Sequence, residues 1–248
     1  MTRQLLLTTV YMLAGLANLA TAQESPNILT DVEKQNGWKL LFDGVSPAGW
    51  KSAYTDNFPV TGWTLKDGTI GVAERGGHEH IVGGDIVTKD QFSAFDLSFE
   101  FNLAPGGNSG LKYFVTRSEC EKGSIIGLEY QILDDKLHPD AKQGRDGNRT
   151  QASLYDLIKA NKQTGGENPP GQWNTGRIVV YANNHVEHYL NGVKVLEYDR
   201  GSPAFRGLVA NSKYKGFANF GEAPKGRIML QDHGNAVNFR SIKIREIN

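Results

Sequence analysis

The sequence is poor in cysteine and carries no net charge, and each shortage excludes a class of protein. Cys120 is the single cysteine among 248 residues, so no intramolecular disulfide can form and a disulfide-stapled secreted domain is excluded. The 27 basic residues balance 27 acidic ones, which gives no bulk signature of nucleic-acid binding. Phosphate-binding glycine loops, a dinucleotide fingerprint and a nucleophile elbow are also absent from the sequence.

Residues 1–22 are typical of a cleaved export signal. Arg3 supplies the positive start, the stretch 5–19 is mostly apolar, and Ala20-Thr21-Ala22 matches the small residues that precede a cleavage site. This apolar run is too short for a convincing membrane span, and no later run is a better one, so no transmembrane segment is predicted. Export without disulfides favours the periplasm or the exterior of a bacterium.

The rest of the chain is predicted to form one domain. Residues 23–35 are a polar lead-in with a helical turn around 31–34, and no Pro- or Ser-rich linker divides residues 36–248. Apolar and polar residues alternate in many short segments, of which 95–101 is the longest, separated by Gly, Asn and Asp turns. This pattern predicts an all-β, concanavalin A-like jelly-roll sandwich of two antiparallel sheets. The long irregular stretch 135–171 is predicted to be a functional loop with a short helix at 154–160.

Two of the predicted strands carry polar side chains that a fold alone does not need. Because side chains alternate along a strand, Glu129 and Gln131 point away from the apolar residues between them. On the preceding strand, Lys112 is predicted to share a face with Phe114. A carboxylate, an amide and an ammonium held on rigid strands indicate a functional site.

The spacing of Glu129, Gln131 and Asp134 resembles the Glu-x-Asp-x-x-Glu strand of the concanavalin-like β-glucanases. A retaining glycosidase needs two carboxyl groups about 5 Å apart, one as acid and one as nucleophile. Gln131 can take neither role, which disfavours that chemistry. An ordinary glycoside hydrolase that uses Glu129 and Asp134 stays open as an alternative.

Histidines and loop acids offer further candidates for proton transfer or metal binding. His233 follows a strand end and His138 lies in the long loop, and both suit proton transfer near neutral pH unless they merely bond local backbone. His78 and His80 are a possible metal pair without an assignable third ligand. A hard cation could take oxygens from the loop acids, although a solvated acidic loop is favoured over this site because calcium-loop spacing is missing. These acids are Asp134, Asp135, Asp140 and Asp146.

The four tryptophans divide into two groups. Trp38, Trp50 and Trp63 lie among predicted strands and are expected in the core rather than as platforms for sugars. Trp173 directly follows the long loop, and either role remains open for it.

Several motifs, taken in order, resemble the 3-keto-disaccharide hydrolase family, also described as 3-keto-glucoside lyases or hydratases. The resemblance runs from about residue 36 to 247. The motifs are Gly37-Trp38-Lys39-Leu40-Leu41-Phe42-Asp43-Gly44 with Gly49-Trp50, Gly107-Asn108-Ser109-Gly110, Glu129-Tyr130-Gln131-Ile132-Leu133-Asp134, Leu154-Tyr155, Gly171-Gln172-Trp173-Asn174, Leu190-Asn191-Gly192, Leu230-Gln231-Asp232-His233-Gly234 and Val237-Asn238-Phe239-Arg240.

The resemblance implies a jelly-roll enzyme whose substrate is a glycoside or disaccharide oxidised at C3. A C3 ketone acidifies the C2 proton, so one base can abstract it and expel the C1 substituent, and hydration then completes a net hydrolysis. The chemistry points to Glu129 or His138 as the base, and to His233 or Tyr155 as acid or substrate clamp. The negative charge that develops on the substrate oxygen is expected to be stabilised by Lys112, Gln131 or a bound divalent cation. Further substrate contacts are expected from Asn108, Asp134, Trp173 and Gln231.

One alternative of a different class remains beside the two enzyme hypotheses. A carbohydrate-binding module on the same sandwich would keep the amides and aromatic residues without turnover.

Overall fold

A computed structural model describes residues 25–77, 84–117 and 125–247. The predicted export signal at residues 1–22 and the histidine pair His78 and His80 lie outside these ranges. The described strands are β1 (Lys39–Leu40), β2 (Trp50–Ser52), β3 (Trp63–Lys66), β4 (Thr69–Val72), β5 (Ile86–Thr88), β6 (Phe95–Leu103), β7 (Asn108–Arg117), β8 (Ile125–Leu133), β9 (Trp173–Val180), β10 (His185–Leu190), β11 (Val193–Asp199), β12 (Arg227–Leu230) and β13 (Val237–Glu246).

These strands form two antiparallel sheets. The eight-stranded sheet has the order β11-β10-β9-β6-β13-β4-β3, with β1 also paired to β13. The five-stranded sheet has the order β2-β5-β12-β7-β8. Neighbours such as β6 and β13, or β7 and β12, are far apart in sequence, as the crossing connections of a jelly roll require. The predicted all-β jelly-roll sandwich is therefore confirmed.

The core lies between the two sheets and follows the alternation of the sequence. In β6 the side chains at positions 95, 97, 99 and 101 are all at most 1% exposed. Phe99 meets Tyr130 of β8 edge-to-face, with ring centroids 5.3 Å apart. Trp50 and Trp63 are buried as predicted, whereas Trp38 is only half-buried and lies under the cationic side chains of β13. The prediction that Trp38 belongs to the core is wrong.

Two α-helices flank the described strands. Helix α1 (Asp31–Gln35) begins with a capping box, in which Thr30 and Glu33 each accept a hydrogen bond from the other's backbone N–H. It lies at the predicted helical turn. Helix α2 (Pro203–Ala210), capped by Ser202, was not predicted. No helix in the described part of the chain is long and apolar enough to cross a membrane.

The irregular stretch contains a helix, but not at the predicted place. Its helix is a single 3₁₀ turn, Pro139–Lys142. Residues 154–160 form no helix because the chain there pairs with the exposed edge of β8. Ala152 N–H donates to the Gln131 carbonyl at 2.8 Å, and Tyr155 N–H donates to the Glu129 carbonyl at 3.0 Å. These bonds protect an edge strand that would otherwise be open.

A bulge in β7 corrects the predicted orientation of Phe114. The pairing of β7 with β8 shifts between Tyr113 and Thr116, and Phe114 has a φ of 51°. Tyr113 and Phe114 consequently both enter the core, while Lys112 faces outward. Lys112 and Phe114 therefore do not share a face.

Candidate functional site

A carboxylate and an ammonium meet on the outward face of the five-stranded sheet. Lys112 of β7 lies directly opposite Glu129 of β8, and Nζ is 3.6 Å from Oε2. Both point outward because their neighbours along the strands fill the core. The side chains are 15% and 4% exposed, so the pair is largely shielded from water. Gly110 makes room for it, since a Cβ there would lie 2.4 Å from Glu129 Oε1.

Asp85 adds a second carboxylate beside Lys112. It immediately precedes β5, and its Oδ1 accepts a hydrogen bond from Asp232 N–H at 2.9 Å. Burial raises the pKa of Asp85, and the positive charge of Lys112 limits this rise. Burial alone would lower the pKa of Lys112, but Glu129 and Asp85 more than offset it and raise that pKa. Lys112 is therefore held as an ammonium between two acids.

Tyr155 covers the Glu129 side of this pair. The hydrogen bond from its backbone N–H to the Glu129 carbonyl fixes it there. Burial and the nearby Asp140 carboxylate raise the pKa of Tyr155, so it remains a phenol at neutral pH. The ammonium of Lys213 lies 4.1 Å from the centre of the Tyr155 ring.

Arg149 holds the surrounding loop together. Its Nε donates to Asp156 Oδ1 at 2.7 Å, and its Nη1 donates to Asp140 Oδ1 at 2.9 Å. Asp156 in turn accepts the backbone N–H of Lys213 on Oδ2 at 2.8 Å. The loop after β8 and the turn after α2 are thus tied at one point, which places Lys213 at the site.

A cleft of about 340 Å³ opens above Lys112 and Lys213. Its walls combine ammonium groups with aromatic and aliphatic side chains. The lining residues are Tyr54, Lys112, Ile125, Ile126, Gly127, Lys213, Tyr214 and Phe217. Sequence reasoning missed Asp85 and Lys213 because a residue before a short strand and a residue in a turn carry no local spacing signal.

The two predicted proton-transfer histidines come together. His138 from the long loop and His233 after β12 have ring centroids 6.1 Å apart and nearly perpendicular planes. His138 Nδ1 accepts the backbone N–H of Asp140 at 3.2 Å. Partial burial and the proximity of His233 lower the pKa of His138. His138 is therefore neutral near pH 7, with its hydrogen on Nε2.

The predicted substrate-binding amides lie between these clusters. Gln231 sits between Asp85 and Gly110 across the sheet, and its N–H donates to the Gly110 carbonyl at 3.0 Å. The side-chain oxygens of Asn108 and Gln231 are buried and accept no hydrogen bond from any described residue. Buried polar atoms are nearly always paired, so these two await a donor such as a ligand hydroxyl. Gln131, by contrast, is 1% exposed and accepts the backbone N–H of the next residue.

Two predicted site residues lie elsewhere. Asp134 Oδ2 accepts Gly106 N–H at 2.8 Å, and its Oδ1 accepts two further backbone N–H groups. It follows Glu129 by five residues, which corresponds to about 16 Å along a strand. Trp173 begins β9 in the other sheet, with the Arg240 guanidinium 4.0 Å from its ring centre. The structure does not bring Asp134 or Trp173 to the cleft above Lys112 and Lys213.

A larger cavity lies at the end of the sandwich, between the end of β6 and the long loop. It measures about 610 Å³ and has mainly apolar walls that include Phe101, Leu103 and Leu133. Neither Lys112 nor Glu129 lines it. We therefore place the candidate site in the smaller cleft, where the charged groups converge.

The loop acids do not converge on a cation position. Asp135 binds Lys162 and the backbone N–H of Gln151, Asp140 binds Arg149, and Asp146 is exposed. Within the described ranges, one group with metal-ligand side chains is found on the opposite sheet and consists of His185, Glu187 and Glu197. Lys194 already bonds both of those carboxylates.

Residues 37–245 match the family model of the 3-keto-alpha-glucoside-1,2-lyase-like domain. The chain belongs to this family. A curated relative, the 3-keto-disaccharide hydrolase of Bacteroides thetaiotaomicron, is 36% identical over 234 residues, which cover 86% of this chain and 79% of the relative.

Two solved structures from Parabacteroides distasonis ATCC 8503, both described as putative glycosyl hydrolases, are 28% identical to the chain. One has a TM-score of 0.78 and covers 90% of this chain and 100% of its own. The other has a TM-score of 0.58 and covers 80% and 99%. These similarities agree with the observed sandwich.

Proposed function

We propose that this chain cleaves glycosides oxidised at C3, by elimination next to the ketone followed by hydration. The family and the name of the curated relative support the substrate class. The observation that carries the mechanism is the shielded pair of Glu129 and Lys112. One carboxylate base beside an ammonium suits proton abstraction next to a carbonyl.

Each step can be assigned to a group that lines the cleft or lies directly beside Lys112. Glu129 takes the C2 proton, and the electron pair moves toward the C3 oxygen, where Lys112 stabilises the negative charge. That pair then returns to form a C1–C2 double bond, and the C1–oxygen bond breaks. Water adds to C1 of the resulting enone to give the 3-keto sugar.

Glu129 is a better base than His138. The free lone pair of neutral His138 is on Nδ1, which already accepts the backbone N–H of Asp140. The remaining ring nitrogen, Nε2, carries hydrogen and can only donate. His138 and His233 therefore suit substrate clamping and proton donation. Tyr155, beside Glu129 and protonated, can donate to the departing alkoxide.

The remaining alternatives differ in how well the site supports them. A glycosidase pair of Glu129 and Asp134 is disfavoured, because both Asp134 oxygens bond backbone N–H groups and the separation is too large. A sugar-binding module remains compatible with the unpartnered amide oxygens of Asn108 and Gln231. A divalent cation fits the described carboxylates poorly, since the Lys112 ammonium already pairs with Glu129 and lies between it and Asp85.

The deciding experiment offers the protein a disaccharide and its 3-keto form, with and without a chelator. We expect cleavage of the keto form alone and no effect of the chelator. Cleavage of the unoxidised sugar would favour a glycosidase, and loss of activity with chelator would assign the oxyanion role to a metal. Binding of the keto form without turnover would establish a binding module and contradict the proposal.

We also propose export of the chain, on the basis of the signal pattern in residues 1–22. Expression in a Gram-negative host should give a periplasmic protein whose first residue is Gln23. A cytoplasmic product that keeps Met1 would contradict export.

A further inference from the structure

Two lysines line the same cleft, but their surroundings differ. Lys112 is paired with Glu129 and is also attracted by the negative charge of Asp85, so it stays protonated. Lys213 has no carboxylate within ion-pair distance among the described residues. Its ammonium faces the rings of Tyr155 at 4.1 Å and Tyr214 at 5.2 Å.

The environment of Lys213 favours the neutral amine more than the environment of Lys112 does. Lys213 is exposed as a residue, but the cleft walls crowd its amino group, and this desolvation together with the positive charges of Lys112 and Arg149 lowers the pKa of Lys213. Glu129 and the two ring faces attract the ammonium and limit this shift. The Lys213 ammonium therefore loses its proton more readily than that of a lysine with an ordinary pKa.

The position of Lys213 is also fixed. Its backbone N–H is bound by Asp156, which is itself held by Arg149. Its ammonium contacts the ring of Tyr155. The backbone N–H of Tyr155 in turn donates a hydrogen bond to the carbonyl of Glu129 on β8. The amine of Lys213 is thus held in the same cleft as Lys112, close enough to Glu129 for their charges to interact, as attack on a carbonyl substrate in the cleft would require.

We propose that Lys213 forms an iminium with the C3 ketone of the substrate, so that the protein cleaves keto-glycosides through a covalent intermediate. This inference rests on the proposed function and changes only the group that accepts the electron pair. Lysine amines form such Schiff bases with carbonyl substrates, and an iminium acidifies a neighbouring C–H bond more strongly than a ketone does.

The steps balance without any added oxidant or reductant. The amine adds to C3, a C–N bond forms, and the ketone oxygen leaves as water. Glu129 removes the C2 proton, which gives an enamine. The enamine pair then forms the C1–C2 double bond and expels the C1 oxygen, which takes a proton. Water adds to C1, and hydrolysis of the iminium releases Lys213 and the 3-keto sugar.

In this scheme Lys112 has a different role from Lys213. Its ammonium holds the Glu129 carboxylate and repels a second positive charge at Lys213, which favours the free amine. Only Lys213 should therefore carry the covalent adduct.

The test is reductive trapping of the full-length protein with cyanoborohydride and a 3-keto-glucoside. Peptide mapping should locate, on Lys213, an added mass equal to the sugar ketone less one oxygen atom. With Glu129→Gln, which blocks elimination but not imine formation, the trapped adduct should retain the aglycone. An adduct on Lys112 or on neither lysine, in protein that turns over the substrate, would overturn the inference and leave the proposed function intact.

Variant kinetics supply a second readout. Lys213→Arg keeps the positive charge but cannot form the imine, and we expect kcat/KM to fall about 100-fold or more. Lys215→Arg, at an exposed position two residues away, is the matched control and should retain activity. Full activity of Lys213→Arg would show that Lys112 and the C3 oxyanion suffice. If the wild-type protein fails to cleave any keto-glycoside, the proposed function itself fails.

Discussion

The outward faces of the two sheets are both rich in charge, yet they differ in how completely their polar groups are paired. On the eight-stranded sheet, Asp96 receives two hydrogen bonds from Arg177 and two from Arg245. Glu187 receives two tyrosine hydroxyls and Lys194.

The five-stranded sheet leaves polar groups without partners. Among the described residues, the oxygens of Asn108 and Gln231 have no donor, and Lys213, in the turn beside this face, has no carboxylate within ion-pair distance. Polar residues on a strand therefore do not by themselves mark a site. Unmet hydrogen-bonding capacity in a cleft distinguishes the face that binds from the face that only stabilises.

The largest expected effect concerns the base. Glu129→Gln keeps the size and polarity of the side chain but removes the proton acceptor, so turnover of a 3-keto-glucoside should fall roughly 10³-fold. Glu197→Gln on the opposite sheet is the matched control and should retain activity. The measurement is kcat/KM for both variants. Near-normal activity of Glu129→Gln would remove this residue from the mechanism.

In the core, His188 is hydrogen-bonded at both ring nitrogens. Nε2 meets the Tyr113 hydroxyl at 2.8 Å, and Nδ1 meets the Ala152 carbonyl at 3.1 Å. Burial lowers the pKa of His188 to about 4. The unfolded chain, with an ordinary histidine pKa, therefore takes up this proton first as the pH falls.

Stability contributed by neutral His188 should be present above pH 6.5 and lost as the pH falls toward 4. The loss amounts to about 3 kcal/mol. The free energy of unfolding, measured with urea at pH 7 and pH 4.5, should be lower at pH 4.5 for the wild type. For His188→Gln the slope of this free energy against pH should be shallower. Equal slopes would mean that His188 is protonated in the folded protein.

A fully paired residue on the eight-stranded sheet should affect stability alone. Glu187→Ala removes the acceptor of three hydrogen bonds, at a cost of about 1.5 kcal/mol, because the released donors can still reach water. Activity per folded molecule should not change. A loss of activity without a loss of stability would contradict the distinction between the two faces.

Local patterns predicted the strands well, but features created by distant residues were out of reach. The alternation in β6 predicts its burial because a strand's period of two is a local property. The bulge at Phe114 depends on close packing against Gly226, where a Cβ would lie 2.4 Å from the Phe114 Cα. No pattern around Phe114 reveals a glycine more than a hundred residues away.

The same limit applies to the site. Glu129 and Lys112 were found because polar side chains interrupt strands whose other face is apolar. Asp85 is brought to the site by the order of β5, β12 and β7 in the sheet. Lys213 is brought there by the contact of a turn with the long loop. Trp173 was open to either role because aromatic character alone does not say which sheet face a residue occupies.

The smallest expected effect tests the unpartnered amides directly. Asn108→Ala removes a buried oxygen that bonds nothing in the described protein, so the free energy of unfolding should hardly change. If that oxygen accepts a substrate hydroxyl, KM should rise up to about tenfold, or about 1.4 kcal/mol. The affected quantity is binding, with kcat close to normal.

Asn174→Ala is the opposite case, since the Asn174 amide accepts from Asn168 and Asn191 and donates to the Asn168 carbonyl. This variant should lose stability and keep its KM. Unfolding curves and Michaelis kinetics on both variants separate the two outcomes. A stability loss in Asn108→Ala with unchanged KM would place Asn108 with the structural amides, and unmet hydrogen-bonding capacity would then not identify the binding face.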